Sequence, residues 1–247
     1  MRRAAGCIGA IAALAAGAAA AAEDDARVCV ELYGATACYE GPVARYGHAV
    51  LGDTPEWSVL SVRFEGESAA LELPEDRIFE DVSPRLVRLS EGAAPAVVAV
   101  EASADAGARL VMYVIDDGAL RELAATPHIG TRNRWLAPAA WTDLNGDGVL
   151  DLADVDRPHL AGVLRAWSFG PDGLAEIAAE AGFSNHRIGD AFIASAVRVC
   201  DEVVELVLPD FRWSELRAAR LTEGGWVWRR IAGEASRAGV RAAAAQC

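Results

Sequence analysis

Apolar residues in this chain come in short runs, broken every few positions by Gly, Asp or Pro. Val97-Val98-Ala99-Val100, Leu110 to Val114, Val163 to Trp167 and Val203 to Leu208 are examples. Runs of this length, bounded by turn-forming residues, predict closely spaced strands. Helical periodicity is limited to the alanine-rich stretch around Arg237 to Gln246. The pattern predicts an all-β protein.

The strands recur as a unit. Ser83 to Leu123, Pro138 to Ile177 and Ala194 to Ile231 each read as four strands with similar intervals. Arg77, Arg132 and Arg187 stand 55 residues apart, each just before a unit begins. A shorter unit, Arg45 through Trp57 to Leu73, precedes them, and a strand at Val28 to Tyr33 can complete it. Repeats of about 50 residues, each a four-stranded sheet, point to a small β-propeller. Four blades are expected, or five if the N-terminal region contributes one more.

The most specific motif lies inside the middle unit, at Asp143-Leu144-Asn145-Gly146-Asp147-Gly148-Val149-Leu150-Asp151. Calcium takes six to eight oxygen ligands, and this loop offers oxygens at alternate positions. Asp143, Asn145, Asp147 and Asp151 supply side-chain oxygens, Val149 its carbonyl, and Gly148 the sharp turn. An EF-hand-like reading would extend the loop to Asp154 and need a helix after it. Pro158 and the strand pattern from Leu160 argue instead for a hairpin loop. The 55-residue offset places Arg88, Ser90 and Gly92 of the preceding unit opposite Asp143, Asn145 and Asp147, so that copy lacks ligands. The following unit has a shortened loop around Cys200 and Asp201.

Asp143 to Asp151, with the strand Leu152 to Val155, resembles the FG-GAP or VCBS-type repeat of calcium-stabilised β-propellers. Arg45 to Asp53, Thr126 to Trp135 and Asn185 to Gly189 are similar to segments of exported alphaproteobacterial proteins that carry this repeat. The resemblance spans most of the chain beyond its first residues. It implies a scaffold and no particular reaction.

Composition adds a compartment. Arg2 and Arg3 precede an apolar run from Ile8 to Ala22, and acidic residues follow. This reads as a secretory signal over 1–22, leaving a single domain over 23–247 that is periplasmic or secreted. No later segment is long enough for a membrane span. Cys7 falls in the signal, so Cys29, Cys38, Cys200 and Cys247 remain. Four cysteines allow three pairings. Cys29 with Cys38 would close an N-terminal hairpin, and Cys200 with Cys247 would pin the tail; free buried thiols are the alternative. The net charge is −13, and all 23 basic residues are arginine. An acidic surface argues against nucleic acid as a partner.

Topology suggests a second site. If the calcium loop joins the first two strands of its blade, connections between blades fall at the opposite end. His128, Arg132, Asn133 and Arg134 share one connection; Arg187 and His186 share the next. Arg157 and His159 lie in a second-to-third-strand loop, and His48 occupies a similar place near the first blade. Gathered together, they would bind a small anion or a sugar, because arginine forks pair carboxylate or phosphate and histidine adds a donor. The bland alternative is that they tie down carboxylates and strand-end carbonyls. Trp141, Trp167 and Trp228 read as blade core, while Trp57, Trp135 and Trp213 lie nearer loops. No serine elbow or phosphate loop is present. The expected function is a binding or scaffold module for an anion, a sugar or an envelope protein. The alternative is a calcium-dependent hydrolase of phosphate or sugar esters, using Arg132, His128 and His186.

Overall fold

The computed structural model describes residues 26–89 and 94–247. The expected signal, and Ser90 and Gly92 of the ligand-free loop copy, lie outside the described residues. The described residues are all-β, with antiparallel sheets and one short helix among them. The first meander comprises β1 (Val28–Leu32), β2 (Ala35–Val43), β3 (Glu56–Phe64) and β4 (Glu67–Glu72). A three-residue strand, β5 (Arg77–Phe79), follows. The second meander is β6 (Arg85–Val87), β7 (Ala96–Ser103), β8 (Gly107–Asp116) and β9 (Ala119–Ala125). The third is β10 (Leu136–Thr142), β11 (Asp151–Asp156), β12 (Val163–Gly170) and β13 (Gly173–Ala181). The fourth is β14 (Ala196–Cys200), β15 (Val203–Pro209), β16 (Leu216–Thr222) and β17 (Gly225–Ile231), followed by α1 (Arg237–Ala244).

The third and fourth meanders form separate four-stranded sheets. The first two do not stay separate. β5 pairs with both β3 and β7, merging them into one nine-stranded sheet. The sequence pattern missed β5 because three residues carry no readable alternation.

Tight turns explain why so many hairpins form. Tyr33-Gly34, Glu65-Gly66 and Asp117-Gly118 have positive φ at both positions. That is the two-residue hairpin geometry whose twist matches the strands it joins. Asp201-Glu202 adopts it without glycine, beside a disulfide-bonded cysteine. Between β10 and β11 the two-residue turn is replaced by residues 143–150, the Asp/Gly loop.

Two apolar clusters fill the nine-stranded part. One includes Tyr39, Leu60, Phe79 and Tyr113; the other includes Leu110, Met112, Trp135 and Leu152. Phe183, Leu206 and Leu208 pack with Val155 and Leu164 between the last two sheets. Tryptophan placement departs from the strand-or-loop rule. Trp57 and Trp135 are buried, whereas Trp141 and Trp228, expected in the core, are among the exposed hydrophobics. Trp141 lies under the Arg85 guanidinium and Trp228 under that of Arg217, so a cation sits over one face of each ring.

Both expected disulfides are formed: Cys29 with Cys38, and Cys200 with Cys247. Arg198 reinforces the second by donating to the carbonyls of Ala243 and Gln246. Disulfides fit an oxidising compartment. Among the described residues, no helix is long and apolar enough to cross a membrane.

Candidate functional site

Strand β11 has its two ends at two different candidate sites. At its start stands the Asp/Gly loop. Asp143 accepts from the backbone amides of Gly146, Asp147 and Gly148, which curls the loop around its carboxylate. Asn145 accepts from the amide of Asp147, and Asp147 from that of Val149. Gly146 and Gly148 take positive φ, as this curl requires. Asp151 is fully buried; its Oδ2 accepts from the amide of Leu144, and its Oδ1 has no partner. Burial, with the nearby charges of Asp147 and Asp143, raises the Asp151 pKa.

These residues fit a hard cation. Asp151 holds a buried, partnerless oxygen, and Asp143, Asp147 and Asp151 form no ion pair with an arginine among the described residues. Calcium bound there would be held by Asp143, Asn145, Asp147 and Asp151 with the Val149 carbonyl, and would neutralise the three carboxylates of the loop. Among the described residues, no three His, Cys, Asp or Glu side chains are already gathered as a metal cage.

At the other end of β11, three connections meet. The loop between β2 and β3 is shaped by Glu56, whose carboxylate accepts from the amides of Tyr46 and His48. The Tyr46 hydroxyl accepts from the amide of Asn133, and the Tyr46 carbonyl accepts from Arg132. The Gly189 amide donates to the Val50 carbonyl. A Cβ on Gly52 would lie 2.5 Å from the carbonyl oxygen of Gly189, so glycine is needed for this approach. Trp135 donates its indole N–H to the Glu80 carbonyl at 2.8 Å.

Around Trp135 the histidines form a defined relay. His186 Nε2 lies 2.8 Å from the carbonyl oxygen of Asp190, which can only accept. Neutral His186 therefore carries its proton on Nε2 and presents a lone pair at Nδ1. His159 Nε2 sits 2.9 Å from that lone pair and must donate to it. The remaining nitrogen, His159 Nδ1, is left as an acceptor. Burial, helped by the charges of His186 and His48, pushes the His159 pKa down to about 4. Burial also lowers that of His186, against the opposing hydrogen bond to Asp190. Both rings are neutral at pH 7. Trp135 stacks on His159 with 10° between planes and meets His186 edge-on. His48 Nδ1 lies 2.8 Å from Glu80 Oε1, and burial raises the Glu80 pKa.

A cavity of about 280 Å³ opens beside this relay. It is lined by His48, Asn133, Arg134, Trp135 and His159, with Leu160 and Ile188 among its apolar walls. Asn133 Oδ1 is buried without a partner. Leu160 and Ile188 are 64% and 73% exposed, the highest values among the described large hydrophobics.

The expected cluster is thus gathered only in part. His48, Asn133, Arg134, Arg157 and His159 share the cavity, and His186 supports it from behind. Arg157 is engaged by Asp156 through two bonds. Arg132 is spent on Tyr46, by hydrogen bond and by lying over the ring. Arg187 lies over Trp213. His128 is hydrogen-bonded to the Gly107 carbonyl and lines a neighbouring cavity. Arg134 bonds only the carbonyl of Asn133 and has no carboxylate partner among the described residues.

That neighbouring cavity, of about 230 Å³, contains a group the sequence raised only as the last position of an EF-hand-like loop. Asp154 is fully buried, accepts from Trp167 Nε1 at 2.7 Å, and has a partnerless Oδ2. Burial raises its pKa to about 7; the Trp167 bond opposes this and the Asp156 charge adds to it. Its position inside a strand gave no signal beyond a polar residue in an apolar run.

Searches against protein-family descriptions, curated proteins and solved structures find no match to this chain.

Proposed function

We propose that the protein is an exported, calcium-clamped β-propeller of four blades that works as a binding module, its ligand a small organic anion seated in the histidine-lined cavity. The four antiparallel meanders support the propeller reading, with loop contacts joining the first, third and fourth units at one end. The partnerless Asp151 oxygen supports the clamp.

The observation that carries the binding reading is the mouth of the cavity. Its rim bears the two most exposed aliphatics described, Leu160 and Ile188, above an arginine with no acid partner. Exposed apolar side chains beside convergent polar groups are characteristic of ligand sites. At about 280 Å³ the cavity suits a small molecule. The hydrolase alternative finds no such support: Arg132, His128 and His186 are each committed to a separate backbone carbonyl.

The test is a thermal melt of the oxidised protein, with calcium or chelator, against organic acids, phosphate and sugars. A shift from an organic acid that disappears in Arg134→Gln is the expected result. No shift from any compound would overturn the reading.

A further inference from the structure

The donor and acceptor pattern of the cavity narrows its ligand. Arg134 offers a guanidinium with no carboxylate partner among the described residues. His159 Nδ1 is an acceptor, because the carbonyl of Asp190 fixes the His186 tautomer and His186 in turn fixes that of His159. Asn133 Oδ1 is a second acceptor without a partner. The rim is aliphatic. A plain carboxylate would satisfy Arg134 and leave His159 Nδ1 without a donor. A sugar would satisfy the acceptors and leave the guanidinium and the apolar rim unmatched.

We propose that the cavity takes a small aliphatic hydroxy acid, whose carboxylate pairs with Arg134, whose hydroxyl donates to His159 Nδ1, and whose hydrocarbon tail lies against Leu160 and Ile188. This rests on the binding reading above and names the ligand class of that site. A fixed acceptor rejects an analogue without the hydroxyl, because the lone pair is then desolvated and unpaired. His186 is the positioning residue: it makes no contact with ligand in this scheme but, by accepting from His159 Nε2, leaves His159 Nδ1 as the acceptor.

Titration calorimetry at pH 7 with three matched probes, and with lactate as the hydroxy acid lacking the hydrocarbon tail, tests this. The matched probes are 2-hydroxy-4-methylpentanoate, 4-methylpentanoate, which lacks the hydroxyl, and 2-hydroxy-4-methylpentanamide, which lacks the charge. The hydroxy acid should bind at least tenfold more tightly than either analogue. His159→Phe, which keeps a ring against Trp135, should erase the preference for the hydroxyl. Arg134→Gln should erase the preference for the carboxylate. Leu160→Ser and Ile188→Ser change exposed positions and keep the test valid if His159→Phe does not fold. Each should abolish the preference for 2-hydroxy-4-methylpentanoate over lactate.

Equal binding of the hydroxy and plain acids, weakened in Arg134→Gln, would overturn the inference and leave the binding reading standing. A hydroxyl preference that survives in His159→Phe would also overturn it. No binding of any probe, or of phosphate and sugars, would overturn both.

Discussion

Strand β11 starts under the Asp/Gly loop and ends beside the histidine cavity, so one six-residue element joins two regions built on different principles. In the loop, the hydrogen bonds of Asp143, Asn145 and Asp147 reach at most five residues along the chain. In the cavity wall, the bond between His159 and His186 spans 27 residues and that between Asn133 and Tyr46 spans 87. A local arrangement depends only on spacing, so a nine-residue window is enough to recognise it. A non-local one depends on how separate connections meet, and changing any of them disturbs it.

Asp154 lies between these regions and gives the largest expected effect. Its folded pKa of about 7 exceeds the ordinary 3.8, so the fold binds the extra proton and stability falls as pH rises from about 4 through 7. At about 1.4 kcal/mol per pH unit, the cost at pH 8 reaches up to about 4 kcal/mol. Asp154→Asn should remove that cost at pH 8 and change little at pH 4. Denaturant melts at both values would check this, and equal effects at the two would place the carboxyl outside the titration.

Calcium separates the two regions next. At a hundredfold excess over Kd, a cation bound only by the folded protein adds about 2.7 kcal/mol. Asp147→Ala should remove the calcium-dependent rise in melting temperature and leave probe binding at the cavity unchanged. If both were lost, the two ends would be coupled through β11.

A smaller effect belongs to the histidine relay. Because the His159 pKa falls from 6.5 to about 4, the unfolded chain takes up the proton first as pH drops. The stability present above pH 6.5 should therefore decline between 6.5 and 4, by about 1–2 kcal/mol after allowance for the ring's partial exposure. His159→Gln should flatten that part of the profile. The smallest expected change is from Arg132→Ala. Losing one hydrogen bond and one ring contact to Tyr46 should cost about 1 kcal/mol in chemical unfolding.

The same contrast explains what could be read in advance. The strands in all four units, the short terminal helix and the hairpin setting of the Asp/Gly loop follow from local pattern and spacing, whereas the four cysteines left three pairings open. The placement of His48, His159 and His186 toward one end also follows, since antiparallel connections must alternate. What spacing could not assign was use. Arg132 and Arg134 stand two residues apart, yet one is consumed by Tyr46 and the other faces the cavity. Asp154 looked like any carboxylate in an acidic chain, because its environment is supplied by Trp167 from the next strand.

The short strand Arg77–Phe79 has a consequence for how the molecule comes apart. By pairing with β3 and β7 it makes strands β1 to β9 share one hydrogen-bond network, while the last two sheets each keep their own. Amide hydrogens across that first network should exchange with solvent as one foldon, and those of the last two sheets as separate ones. A proline at Ile78, which removes the central amide of β5, should split the first unit in two.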